Sequence, residues 1–138
     1  TADDNCAGEN LVQTAGLPSG STFPIGTTIN TFVVTDAAGN TNTCSFNVTV
    51  VDNEDPSIVC PANINVNNDS GACGAIVTFN VAADDNCTGE NLVQTAGLPS
   101  GSTFPIGTTI NTFVVTDAAG NTNTYSFNVT VVDNEDPS

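Results

Sequence analysis

Residues 1–57 recur, at an offset of 81, as residues 82–138, and three positions alone differ: Thr1/Ala82, Ala7/Thr88 and Cys44/Tyr125. A repeat of this length forces each copy to fold as a similar unit, so the chain is built from modules and not from one mixed domain. Residues 1–56 read as the C-terminal part of one repeat. Residues 57–138 read as one complete repeat that ends in the next linker. The chain opens on Thr1 without a secretion signal and reads as a piece of a longer tandem array. Near-duplicate copies suit a stalk or fibre better than an enzyme, because every copy of an enzyme would need its own site.

Within the complete unit the apolar pattern has the period of strands. Ile58-Val59-Cys60 and Ile64-Asn65-Val66 form a first strand broken at Pro61, and Asn68-Asp69-Ser70-Gly71 is a turn. Ala75 to Val81 alternates, Leu92-Val93-Gln94 is short, and Thr108 to Thr116 and Thr124 to Val132 are long, with Asp117 to Asn121 as the hairpin between them. Alternation places Val77, Phe79, Phe113, Val115, Phe127, Val129 and Val131 in the core, with Tyr125 on the same apolar face. Short strands with turn signals every roughly 8–12 residues predict an all-β fold of Ig-like β-sandwich repeats in tandem. Phe104-Pro105-Ile106-Gly107 reads as a plug closing the sandwich edge.

The chain has 15 Asp and Glu, and no Lys, Arg, His, Met or Trp. Without basic side chains it cannot displace counterions from nucleic acid or hold an anionic membrane surface. Triads that need His or Lys are excluded, and no apolar run approaches the roughly 18 residues that span a bilayer. Asp69-Ser70-Gly71 has the short aspartic-protease pattern, but it occurs singly in a turn, whereas such enzymes pair two carboxylates. Sugar-binding modules stack rings on Trp or Tyr, and Tyr125 is the single Tyr. Asn47, Asn68, Asn86 and Asn128 stand in formal glycosylation sequons, which arise readily in so Asn- and Thr-rich a chain.

Five cysteines without a CxxC pair point to an oxidising, extracellular setting. A bridge between Cys73 and Cys87 would close a loop of about 15 residues and contribute roughly 3 kcal/mol. It would also have to span a strand, unless that strand is short or bent. With three cysteines in the unit, other pairings stay open.

Cys60-Pro61, Gly71-Ala72-Cys73-Gly74-Ala75, Asp85-Asn86-Cys87, Gly101 to Gly107 and Thr116 to Asn121 follow one another in an order that resembles the HYR (hyalin repeat) domain. The resemblance covers the whole chain and implies an Ig-like module of extracellular adhesion proteins. The near-identical, base-free copies are similar to those of giant bacterial surface adhesins of the flavobacterial gliding type. The resemblance also implies a bridge from Cys60 to the position held here by Tyr125, which leaves Cys60 free.

The acids are clustered in Asp52-Asn53-Glu54-Asp55, in Asp84-Asp85-Asn86 and in Asp117 with Asn121. In an Ig-like sandwich these three segments lie at one end. Two carboxylates about 6 Å apart repel by roughly 3 kcal/mol at an effective dielectric near 20. Six of them favour a cation, and Ca²⁺ takes hard oxygen ligands 6–8 at a time. The expected ligands are Asp52, Glu54, Asp55, Asp84, Asp85 and Asp117, with Asn53, Asn86 or Asn121 adding oxygens. The bland alternative is turn chemistry alone.

These readings combine into a non-catalytic structural repeat of a long, secreted or cell-surface bacterial fibre, stiffened by Ca²⁺ at interdomain junctions. Its partners are neighbouring repeats of the same chain, and like chains in a filament. The alternative is an adhesive module that recognises polysaccharide or a partner protein.

Overall fold

The computed structural model describes residues 1–137; Ser138, the last residue of the 57–138 repeat, lies outside the described residues. They hold strands and no helix: β1 (Asn10–Ala15), β2 (Gly26–Thr35), β3 (Thr41–Val50), β4 (Ser57–Val59), β5 (Ile64–Asn67), β6 (Gly74–Ile76), β7 (Ala82–Asp84), β8 (Asn91–Ala96), β9 (Thr103–Pro105), β10 (Gly107–Thr116) and β11 (Thr122–Val132). The all-β expectation holds. Packing separates two compact units, Thr1–Asp52 and Asn53–Ser138.

The first unit is a three-stranded antiparallel sheet in the order β1-β2-β3. The second has a four-stranded sheet, β5-β11-β10-β8, in which β5 runs parallel to β11. Two antiparallel ladders, β4-β7 and β6-β9, complete it. The core joins Phe113, Phe127, Val129 and Val131 of the large sheet to Ala75, Val77 and Phe104. Strict alternation along β11 buries Phe127, Val129 and Val131 and turns the residues between them outward. Phe79 is half-buried, and its ring meets Phe104, Phe113 and Phe127 edge-on at 6.3, 6.1 and 5.0 Å.

Three expectations need correction. The run Ala75 to Val81 is not one strand: only Ala75 and Ile76 lie in β6, residues 77–81 are in no strand, and β7, which follows at Ala82, belongs to a different ladder. Between them the chain meets the turn at 99–102. The Val77 N–H donates to the Ser102 carbonyl, the Gly101 N–H to the Val77 carbonyl, and the Phe79 N–H to Ser100 Oγ. Cys73 and Cys87 therefore flank two separate ladders and no disulfide joins them; Cys6, Cys44, Cys60 and Cys73 are free thiols. Burial beside the core pushes the Cys60 thiol pKa up. Tyr125 shares the parity of Phe127 but lies 43% exposed, beyond the edge of the cover. In the Phe-Pro-Ile-Gly segment Phe104 is fully buried on β9, whereas Ile106 is exposed.

A buried polar clamp fixes the approach to β10. Asn111 Oδ1 accepts from the Leu98 N–H at 2.9 Å and from Gln94 Nε2 at 3.0 Å, and Gln94 Nε2 also reaches the Leu98 carbonyl. Gly97 passes so close, at φ 86°, that an added Cβ would lie 2.1 Å from Asn111 Oδ1. Gly97→Ala combines a positive-φ penalty of about 1–3 kcal/mol with that clash. It should destabilise the second unit by at least about 2 kcal/mol, read as a lower urea midpoint.

Each β-hairpin is closed by an Asx turn. Asp36 Oδ1 accepts the N–H groups of Ala38 and Asn40, and Oδ2 accepts Asn40 Nδ2 at 2.8 Å. The Asn40 side chain leads these bonds in holding the Asp36 carboxyl below its ordinary value, against a smaller push from burial. A depressed folded-state pKa adds stability above the unfolded value, about 3.9 for Asp, and loses it as pH falls through the folded value. A carboxyl-carbon NMR titration should place the Asp36 midpoint below that value, and Asn40→Ala should move it up.

Candidate metal centre

Strand pairing brings the acidic segments of the second unit together. β4 starts at Ser57, one residue past Pro56, and pairs Ser57 with Asp84 on β7, while Ser57 Oγ donates to the Asp84 carbonyl at 3.1 Å. That ladder lays the connecting peptide beside the Asp84-Asp85-Asn86 turn. The β10–β11 hairpin joins them from the neighbouring sheet. Asn123 Nδ2 donates to the Pro56 carbonyl at 3.1 Å, and Asn121 Nδ2 reaches the Glu54 carbonyl at 3.4 Å.

One carboxylate oxygen of Asp85 lies within 4.8 Å of one of Asp117. Asp117 is buried and Asp85 is half-buried. Asp117 repeats the Asx turn of Asp36: Oδ1 accepts the Ala119 and Asn121 N–H groups, and Oδ2 accepts Asn121 Nδ2. Burial raises the Asp117 pKa, but the bonds from the Asn121 side chain and from the N–H groups of Asn121, Ala119 and Gly120 outweigh it. The net pKa lies below the ordinary value, and the carboxylate stays charged.

Asp85 Oδ2 accepts the Cys87 N–H at 3.3 Å, whereas Oδ1 is out of solvent and has no hydrogen-bond donor among the described residues. A buried carboxylate oxygen without a donor is costly unless a positive charge meets it. The chain has no side-chain cation to supply one. A second concavity shares Asp85 and is lined by Glu54, Asp55, Ser57, Asp84 and Asn86. The whole donor set is oxygen, which fits a hard divalent cation and not a thiolate-seeking metal.

Of the nine expected ligands, Asp85 and Asp117 come together, Glu54, Asp55, Asp84 and Asn86 line the adjoining hollow, and Asp52 is the last residue of the first unit. Asn121 orients Asp117 and touches the connecting peptide, so it positions a ligand. Asn53 is exposed and lines neither group. Sequence reasoning passed over Ser57 and Asn123, which fasten the connecting peptide in place; their role appears only once β4 has found β7 and the hairpin has found Pro56.

Hyalin of Strongylocentrotus purpuratus is 36% identical over 99% of the chain, which spans 12% of that protein. Hyalin of Lytechinus variegatus is 34% identical over 99% of the chain and 27% of its own length. The serine-rich adhesin for platelets of Staphylococcus aureus is 32% identical over 97% of the chain and 7% of its own length. The chain thus spans about a quarter or less of these relatives. Among solved structures, the protocadherin gammaB7 EC3-6 cis-dimer aligns over 96% of this chain and 42% of that one, at 12% identity and a TM-score of 0.43. The HYR domain matches residues 1–50 and 51–131, and the chain belongs to the HYR domain family.

Proposed function

We propose that this chain is a non-catalytic repeat segment of a long fibre or adhesin stalk, secreted or displayed on a bacterial cell surface, and that Ca²⁺ stiffens the linker at the head of each repeat. Residues 1–56 are then part of one repeat and 57–138 the next. The observation that carries the reading is the buried, donorless oxygen of Asp85, beside Asp117 and at a hollow that Glu54, Asp55, Asp84 and Asn86 line. Asp52, Asp85 and Asp117 would hold the ion, with Glu54, Asp55, Asp84 and Asn86 close enough in the chain to add oxygens as the linker settles. The ion would supply charge neutralisation and cross-linking of the three segments, and no chemistry beyond that. Neighbouring repeats of the same chain, and like chains in a filament, are the partners. Nucleic acid is not, because no basic side chain is present to meet phosphate.

Extracellular Ca²⁺ sites bind in the range of about 10⁻⁴–10⁻³ M, so the linker would be stiff in calcium-rich surroundings and slack elsewhere. Binding to the folded state alone contributes about 2.7 kcal/mol at a hundredfold excess over Kd. Titration of the full chain with Ca²⁺ should raise the melting temperature of the second unit, and a chelator should reverse it. Asp85→Asn keeps the volume and removes the charge, and should abolish most of the response. If melting is the same throughout, the acids are turn formers and the calcium reading fails.

A second reading is an adhesive module that itself binds polysaccharide or a partner protein. It draws on the relative named as an adhesin for platelets. A glycan array probed with the full chain separates the two, because a pure spacer binds nothing.

A further inference from the structure

The outward face of the four-stranded sheet β5-β11-β10-β8 is uncharged in a chain whose net charge is −15. No Asp or Glu stands in any strand of that sheet, or of the sheet β1-β2-β3. Alternation turns Phe113, Val115, Phe127 and Val129 into the core, so the residues between them face water. These carry hydroxyl, amide and aliphatic side chains. Ile110 is 58% exposed and Val93 46%.

Hydroxyls on this face bond to one another across the strands. Thr108 Oγ1 meets Thr130 Oγ1 at 3.1 Å, and Thr112 Oγ1 meets Ser126 Oγ at 2.9 Å. Each pair places one hydroxyl proton inside the sheet, so drying the face strands fewer donors than the composition suggests. The outward side of the first sheet is the same. Thr27 pairs with Thr49 at 3.1 Å and Thr31 with Ser45 at 2.9 Å, and Ile29 and Val12 are 58% and 46% exposed. The face is therefore a property of the strands and does not depend on what lies over the inner side.

We infer that this outward face is a lateral contact between like chains, in which two uncharged sheets meet face to face. The inference rests on the reading of like chains as partners and names the surface through which they meet. Charge selects the occupant: two chains of net charge −15 repel wherever their acids oppose, and here none do. Area allows it. Strands at about 3.3 Å per residue and about 4.8 Å apart give the four-stranded face roughly 500 Å². Two such faces bury roughly 1,000 Å², the lower bound for a specific contact. A sugar is the poorer fit, because Phe113, Tyr125 and Phe127 all have the inward parity and leave no ring outside to stack on. The contact opposes no carboxylates and needs no cation. Salt screens the repulsion between the acids elsewhere, so it should tighten this contact, where it would loosen an ionic one.

The test is sedimentation equilibrium of the full chain with chelator and reductant present, which removes calcium and disulfides as causes. The average mass should rise with protein concentration, and more steeply in high NaCl than in low. Ile29→Asp combined with Ile110→Asp should weaken association at least tenfold. Ile29→Asn with Ile110→Asn adds no charge and should weaken it by a smaller factor; this pair keeps the test valid if the Asp pair disturbs folding. Phe46→Asp, on the inner side of the first sheet, should change nothing. Association in chelator that follows this pattern supports the contact whatever the chain's response to Ca²⁺. A monomer at every concentration and salt, equal association of the Asp pair and the natural chain, or loss of association on Phe46→Asp would each overturn the proposal.

Discussion

The contact of Phe79 with Phe104, Phe113 and Phe127 joins the two layers of the second unit, and its architecture hangs from that contact. A β-sheet with one apolar face is a half-built object in water. Burying a Phe side chain is worth about 1.5–3 kcal/mol, and edge-to-face aromatic pairs add about 0.5–1.5 kcal/mol. Residues 58–81 carry the covering side chains, and the ladders β4-β7 and β6-β9 hold them over the sheet. The same cover positions the acidic end, because β4 and β7 are the strands that set Ser57 beside Asp84.

A chain of acids without bases must satisfy every carboxylate by other means. At the hairpins the answer is local: Asp36 and Asp117 each take two backbone N–H groups and one amide from the Asn four residues on. At the head of the second repeat the local answer stops short, since Asp85 Oδ1 has no donor among the described residues. Turn chemistry and cation binding are therefore not rivals at Asp117. The Asx turn keeps it ionised and aimed, which is what a cation ligand requires.

Much of this was legible in the residues. Period-two alternation located β10 and β11 and their buried faces, and the Asp-Ala-Ala-Gly-Asn hairpin was readable from turn chemistry. The convergence of linker, Asp84-Asp85 turn and final hairpin followed from the sandwich topology, although the sequence could not say that Asn53 would stay outside. The split of residues 75–81 was not readable, because an alternating run looks the same whether its backbone meets a strand or the turn at 99–102. Nor was the Gln94, Leu98 and Asn111 clamp, whose members are ordinary polar and apolar residues until the chain folds back on itself.

The two copies separate what sequence and tertiary structure each contribute. Identical residues give the same sheet, the same stacked Phe pair and the same Asx hairpin in both units, since these depend on neighbours that the repeat itself supplies. Burial is another matter. Phe127 is core and Phe46 is surface; Thr103–Pro105 is a strand and Thr22-Phe23-Pro24 is not. The sequence by itself determined hydrogen-bonded sheet and turn, which are satisfied by partners inside the repeat. Tertiary structure alone decided which apolar face leaves water, because burial depends on whether residues 58–81 lie over it.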